Sequence, residues 1–130
     1  MLKKKIIIWG TTNKSNYLYH YLNFDKIEVI GFTDNKIQEE YIENFMFGIP
    51  FIKAVKIIDY KFDFIVISSS AYLEITNQLY EYGIDESQII QANNINFMIP
   101  DTLFYFNDID IYKEKYEIFL DLNCFACNIV

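Results

Sequence analysis

Short unbroken apolar runs alternate along the chain with stretches whose apolar residues recur every three or four positions. Lys5-Ile6-Ile7-Ile8-Trp9, closed by Gly10, reads as a strand buried on both faces, as in a parallel sheet. Beyond Gly10-Thr11-Thr12, the residues Tyr17, Leu18, Tyr21 and Leu22 fall at helical spacing. They predict a helix from about Asn13 to Asn23, with Thr12 or Asn13 as its N-cap. Glu28 to Thr33 is β-rich and stops at the turn pair Asp34-Asn35, which completes a β-α-β unit. The stretch from Lys36 to Phe47 is mixed and polar. Gly48-Ile49-Pro50-Phe51-Ile52 then reads as a turn into a short third strand, which Pro50 assigns to an edge. Lys53 to Asp59 fits a short helical connection.

Asp63 to Ser68 is the clearest buried strand, the fourth. After it, Tyr72, Ile75, Leu79 and Tyr82 line one helical face, and Gly83 ends that helix as its C′ residue. Gln88 to Gln91 makes a fifth strand. This alternation defines an α/β fold, a Rossmann-like doubly wound parallel β-sheet of about five strands flanked by helices. Ile111, Lys115, Ile118, Phe119 and Leu122 add a C-terminal helical extension. Residues 1–92 are thus expected to form a nucleotide-binding type of domain. Residues 93–130 are either part of the same compact unit or the remnant of a longer protein. In such a sheet a ligand lies in the crevice at the carboxyl ends of the first and fourth strands, where the winding reverses.

Composition narrows the partners. The net charge of -7 arises from 18 acidic residues against 11 basic ones, and every base is a lysine. Without guanidinium groups for bidentate contacts, an acidic chain is a poor binder of nucleic acid or anionic lipid. The aromatic content of 18%, against 4 glycines and 2 prolines, excludes a disordered chain. The apolar run after Lys3, Lys4 and Lys5 is too short for a secretion signal, and no stretch is long enough to span a membrane. A soluble, cytoplasmic protein is expected. Cys124 and Cys127 form a C-x-x-C pair, yet His20 is the sole histidine and far away in sequence, so no metal site is expected.

Three segments carry candidate chemistry at the crevice. Gly10, Thr11, Thr12, Asn13, Lys14 and Ser15 occupy the place of a phosphate-binding glycine loop, with Thr12 and Ser15 where the second and third glycines of G-x-G-x-x-G would stand. Hydroxyls and Lys14 offer a phosphate contact there, and the alternative is a helix cap. Asp34, beside Asn35 at the end of the second strand, stands near the usual interval for an acid that accepts hydrogen bonds from a ribose. Its alternative is an Asp-Asn turn starter. Ser68, Ser69 and Ser70 end the fourth strand, where one helix cap explains one serine and not three.

The segments Ile6 to Thr11, Leu18 to Leu22, Val29 to Asn35, Gly48 to Pro50 and Phe62 to Ser69 together resemble one family. It is the small Rossmann-like domain at the N-terminus of bacterial surface-polysaccharide proteins. That domain precedes sugar N-acetyltransferases, nucleoside-diphosphate-sugar epimerases and dehydratases, and FkbM-type methyltransferases, and it is similar to the CoA-binding domain fold. The resemblance covers about residues 3–92. It implies that a UDP-sugar or an NAD(P)-type dinucleotide binds at Gly10 to Ser15, Asp34 with Asn35, and Ser68 to Ser70.

Catalysis by the isolated chain is not expected. No lysine follows a tyrosine at the four-residue spacing that short-chain epimerases use. His20 has no serine or acid placed to serve it, and Glu39-Glu40 and Asp108 with Asp110 read as solvated faces. Two readings stand: a non-catalytic nucleotide or nucleotide-sugar binding domain of surface-polysaccharide biosynthesis, and a ligand-free interaction or oligomerisation module accessory to a methyltransferase or sugar-modifying enzyme. The second would hold a second copy or a partner enzyme domain through Tyr105, Phe106 or the last helix.

Overall fold

Ile6 and Ile8 project from one face of the first strand and Ile7 and Trp9 from the other, and all four are buried. Side chains alternate across a strand, so a run that is apolar at every position needs cover on both sides. The computed structural model, which describes residues 2–20, 22–37, 45–92 and 118, supplies it. The elements are β1 (Lys4–Trp9), α1 (Asn13–Tyr19), β2 (Ile27–Asp34), β3 (Phe45–Met46), β4 (Ile49–Lys53), β5 (Phe64–Ile67), α2 (Tyr72–Glu81) and β6 (Ile89–Gln91). Two 3-10 turns, Ala54–Asp59 and Glu86–Gln88, precede β5 and β6.

The strands lie in the order β3-β4-β2-β1-β5-β6. Five of them are parallel, and β3 alone is antiparallel, to β4. From β1 the chain winds outward through β2 and β4, then crosses back to β5 on the other side of β1. The sheet is doubly wound, as its alternating pattern predicts. Leu18 of α1 packs with Ile6, Ile8, Phe32 and Val66 on one face. Ile75 and Leu79 of α2, with Ile57 of the first 3-10 turn, pack with Ile7, Trp9, Ile65 and Ile67 on the other.

Gly83 closes α2 as expected, at φ +86°. Its N–H donates to the Tyr80 carbonyl and that of Ile84 to the Leu79 carbonyl, the paired bonds of a Schellman motif.

Three expectations need correction. The first helix stops at Tyr19 rather than near Asn23: the Leu22 N–H donates to the Tyr19 carbonyl, three residues back, and the Asn23 N–H to the Ile118 carbonyl at 2.7 Å, so neither continues the helical ladder. Pro50 does not mark an edge, since β3 pairs outside β4, with Phe45 opposite Pro50. A two-residue partner needs few ladder bonds, so the missing N–H of proline is tolerated there. The stretch ending at Phe47 is therefore not all connection; its last residues form a hairpin through Phe47 and Gly48, both at positive φ.

The final helix expected between Ile111 and Leu122, the pair Cys124 and Cys127, Tyr105 and Phe106, and the acids Glu39, Glu40, Asp108 and Asp110 lie outside the described residues, Ile118 excepted. Among the described residues, no helix is long and apolar enough to cross a membrane.

Candidate functional site

Because β1 pairs with β2 on one side and β5 on the other, the residues leaving these three strands meet at one end of the sheet. The Gly10 N–H donates to the Thr33 carbonyl at 2.8 Å, and the Ser68 N–H donates to the Trp9 carbonyl at 2.8 Å. These bonds extend the parallel ladders by one residue and hold the three chain segments side by side.

Gly10 sits at φ +138°, and a Cβ there would stand 2.5 Å from Ser15 Oγ and 2.8 Å from the Ser68 carbonyl oxygen. Only glycine fits, and what fills the space is the protein's own α1 serine and the end of β5. The Ser15 hydroxyl is therefore not an exposed loop donor. Ser15 and Thr33 are 0% exposed and Ser68 is 2% exposed. The hydroxyl of each has no hydrogen-bond partner among the described residues. A buried hydroxyl left without a partner costs about 1–3 kcal/mol; those of Ser15 and Ser68 lie beside Gly10, and that of Thr33, paired in register with Trp9 and Ile52, lies on the α2 face of the sheet.

Asp34 ends β2 half-buried. One carboxylate oxygen accepts the Thr11 hydroxyl at 3.3 Å, and the other accepts the Lys36 N–H at 3.2 Å. The second bond is the turn-starter arrangement, and the first ties the acid to the glycine loop. Asn35 turns away from the loop: its side-chain amide pairs reciprocally with that of Gln78 on α2, at 3.0 and 2.9 Å. Gln78 also donates to the Tyr82 hydroxyl at 2.7 Å.

Thr12, Asn13, Lys14 and Ser70 are exposed. The Thr12 carbonyl accepts the Ser15 N–H at 3.0 Å, which closes the first turn of α1. Ser69 accepts the Ala71 N–H at 3.1 Å, and Ala71, the N-cap of α2, provides no side-chain cap. The three serines thus divide into one buried hydroxyl, one turn bond and one free surface group, and none caps the helix.

Sequence reasoning missed Thr33, which reads as an ordinary β-former within its strand, and Gln78, which reads as a polar helix residue. His20 lies away from this end, exposed, its ring edge-on to Phe47 at 5.7 Å. No group of three or more histidine, cysteine, aspartate or glutamate residues that could hold a metal is present among the described residues. The arrangement offers neutral hydroxyls, loop N–H groups and one carboxylate, chemistry suited to hydrogen-bonding a phosphate or a sugar diol.

Residues 2–90 match the family model described as C2185-like, N-terminal. No curated protein matches the chain.

Proposed function

The chain belongs to the C2185-like, N-terminal family, whose matched span contains every residue of the crevice, and from that crevice we propose that the protein binds a nucleotide or nucleotide-sugar without catalysing its conversion. The observation that carries this reading is the pair of buried, unpartnered hydroxyls of Ser15 and Ser68 beside Gly10. A ligand oxygen entering beside Gly10 gives them the partner that the protein itself withholds. The Gly10 to Ser15 loop and the Ser68 to Ser70 turn receive the phosphates, and Asp34 accepts hydrogen bonds from the ribose. A role in bacterial surface-polysaccharide biosynthesis (capsule, lipooligosaccharide or glycan) rests on the sequence resemblance alone.

The test is ligand-dependent thermal stabilisation with UDP, UDP-sugars, NAD, NADP and CoA. A site-specific ligand at a hundred times its dissociation constant adds about 2.7 kcal/mol. A shift that weakens several-fold in Asp34→Ala supports the site. No shift with any of them at millimolar concentration overturns it.

A second reading, an interaction module without a ligand, draws on one observation at the opposite end of the sheet. Phe47, 44% exposed, stacks on Tyr19 at 3.9 Å with the planes 5° apart, and such a flat aromatic face suits protein contact. A concentration-dependent molar mass that Phe47→Ser abolishes, together with no ligand shift, favours this alternative.

A further inference from the structure

The layer over Ile7, Trp9, Ile65 and Ile67 consists of α2 and the first 3-10 turn, which turn Ile75, Leu79 and Ile57 toward the sheet. Its other side is apolar as well. Val55 and Ile58 of the turn, Tyr60 just after it, and Leu73 and Tyr80 of α2 are between 42% and 62% exposed. They are five of the eight large hydrophobic side chains exposed among the described residues. Single apolar residues scattered over a surface are ordinary; most of a domain's set gathered on one layer marks a contact surface. Spacing aligns them too. Val55 and Ile58 are three apart on a helix of three residues per turn, and Leu73 and Tyr80 are seven apart on α2, so each pair forms a stripe.

Charge indicates what the surface fits. Within residues 53–61 the lysines Lys53, Lys56 and Lys61 outnumber the acid Asp59, whereas α2 and its continuation to Gln88 hold Glu74, Glu81, Asp85 and Glu86 and no lysine. One half of the layer is thus basic and the other acidic, in a chain whose net charge is -7. A partner must present the opposite arrangement, and a second copy of the same layer does so. The turn follows β4 and α2 follows β5, on either side of β1, and each leads from the carboxyl end of the sheet back to its amino end. A two-fold axis running between the two elements, parallel to them, sets the turn of each copy on α2 of the other and brings Lys61 toward Glu81 at the amino end.

We propose that two copies of this chain pair through this layer, with Val55, Ile58, Leu73 and Tyr80 at the centre and the lysines of each turn facing the acids of the partner's α2. The nucleotide crevice is not part of this surface, so the pairing is independent of the ligand reading.

Sedimentation equilibrium of the full chain, from micromolar to millimolar concentration, reads the association. The expected result is a monomer–dimer equilibrium that nucleotide leaves unchanged. Ile58→Ser and Leu73→Ser should each raise its dissociation constant roughly tenfold or more, with circular dichroism unaltered because both side chains are already exposed. Lys61→Glu and Glu81→Lys should each weaken it by about threefold at low salt, and the two together should recover most of that loss, since the reversed charges again meet their opposites across the axis. A monomer at every concentration overturns the proposal. So does a dimer indifferent to both Ile58→Ser and Leu73→Ser, and so does a double charge reversal whose losses add instead of cancelling.

Discussion

Ser15 Oγ stands 2.5 Å from the point where a side chain at Gly10 would begin. One residue of α1 thereby dictates the identity of the residue that follows β1. Gly10→Ala is expected to destabilise the fold by about 2–4 kcal/mol, from the left-handed backbone and the collision together. Adding Ser15→Ala removes the hydroxyl but not the Ser68 carbonyl or the φ of +138°. Thermal denaturation should therefore show partial rescue, and full rescue would mean that the backbone at Gly10 carries no strain.

The unpartnered hydroxyls reverse the usual sign of a core substitution. Removing a buried hydroxyl that has no partner relieves a desolvation cost of about 1–3 kcal/mol. Thr33→Val and Ser68→Ala are thus expected to leave the ligand-free protein equally or more stable, and Ser68→Ala to reduce the stabilisation that a nucleotide provides. Denaturant titrations with and without ligand measure both. A clear loss of stability in the ligand-free variants would show that these hydroxyls are already satisfied in solution.

These positions also show where sequence reading reaches its limit. Ile6 to Trp9 and Phe64 to Ile67 were legible because a strand buried on both faces needs an unbroken apolar run, and the crossing from β4 back to β5 follows from that alternation. That Gly10, Asp34 and Ser68 meet at the carboxyl end of the sheet came with the topology. Burial of Ser15 did not, since a serine after a glycine loop carries no mark of whether its hydroxyl faces solvent. Nor did the early end of α1, beyond which the Leu22 N–H turns back to Tyr19 and the Asn23 N–H goes to Ile118, far away in sequence. The strand Phe45–Met46 was hidden for a local reason: its hairpin turn carries Phe47 where asparagine or aspartate is usual.

Phe47 holds φ at +56°, a conformation that costs a bulky residue about 1–2 kcal/mol, while its ring stacks on Tyr19. Stacking contributes about 0.5–1.5 kcal/mol beyond the area buried, so the two effects are close to balance. Phe47→Asn is expected to change stability by less than about 1 kcal/mol in the parent chain, since asparagine tolerates the backbone but forfeits the stack. In a Tyr19→Ala background, where no stack remains to lose, the same substitution should stabilise by about 1 kcal/mol. A double-mutant cycle by chemical denaturation reads the coupling directly, and a coupling of zero would mean that the stack contributes nothing.

Asp34 combines a turn bond to the Lys36 N–H with a bond from the Thr11 hydroxyl, and two substitutions separate its structural role from its ligand role. Asparagine keeps a side-chain oxygen that can accept from Lys36 but removes the negative charge; alanine removes both. Asp34→Asn should hold stability within about 0.5 kcal/mol, whereas Asp34→Ala should lose about 1 kcal/mol with its hydrogen bonds. A carboxylate accepts from ribose hydroxyls roughly twice as strongly as a neutral amide. Nucleotide affinity should accordingly fall several-fold in Asp34→Asn despite the preserved fold. Calorimetric titration beside thermal melts distinguishes the cases: unchanged affinity in Asp34→Asn would assign Asp34 to the turn alone and move the ribose contact elsewhere.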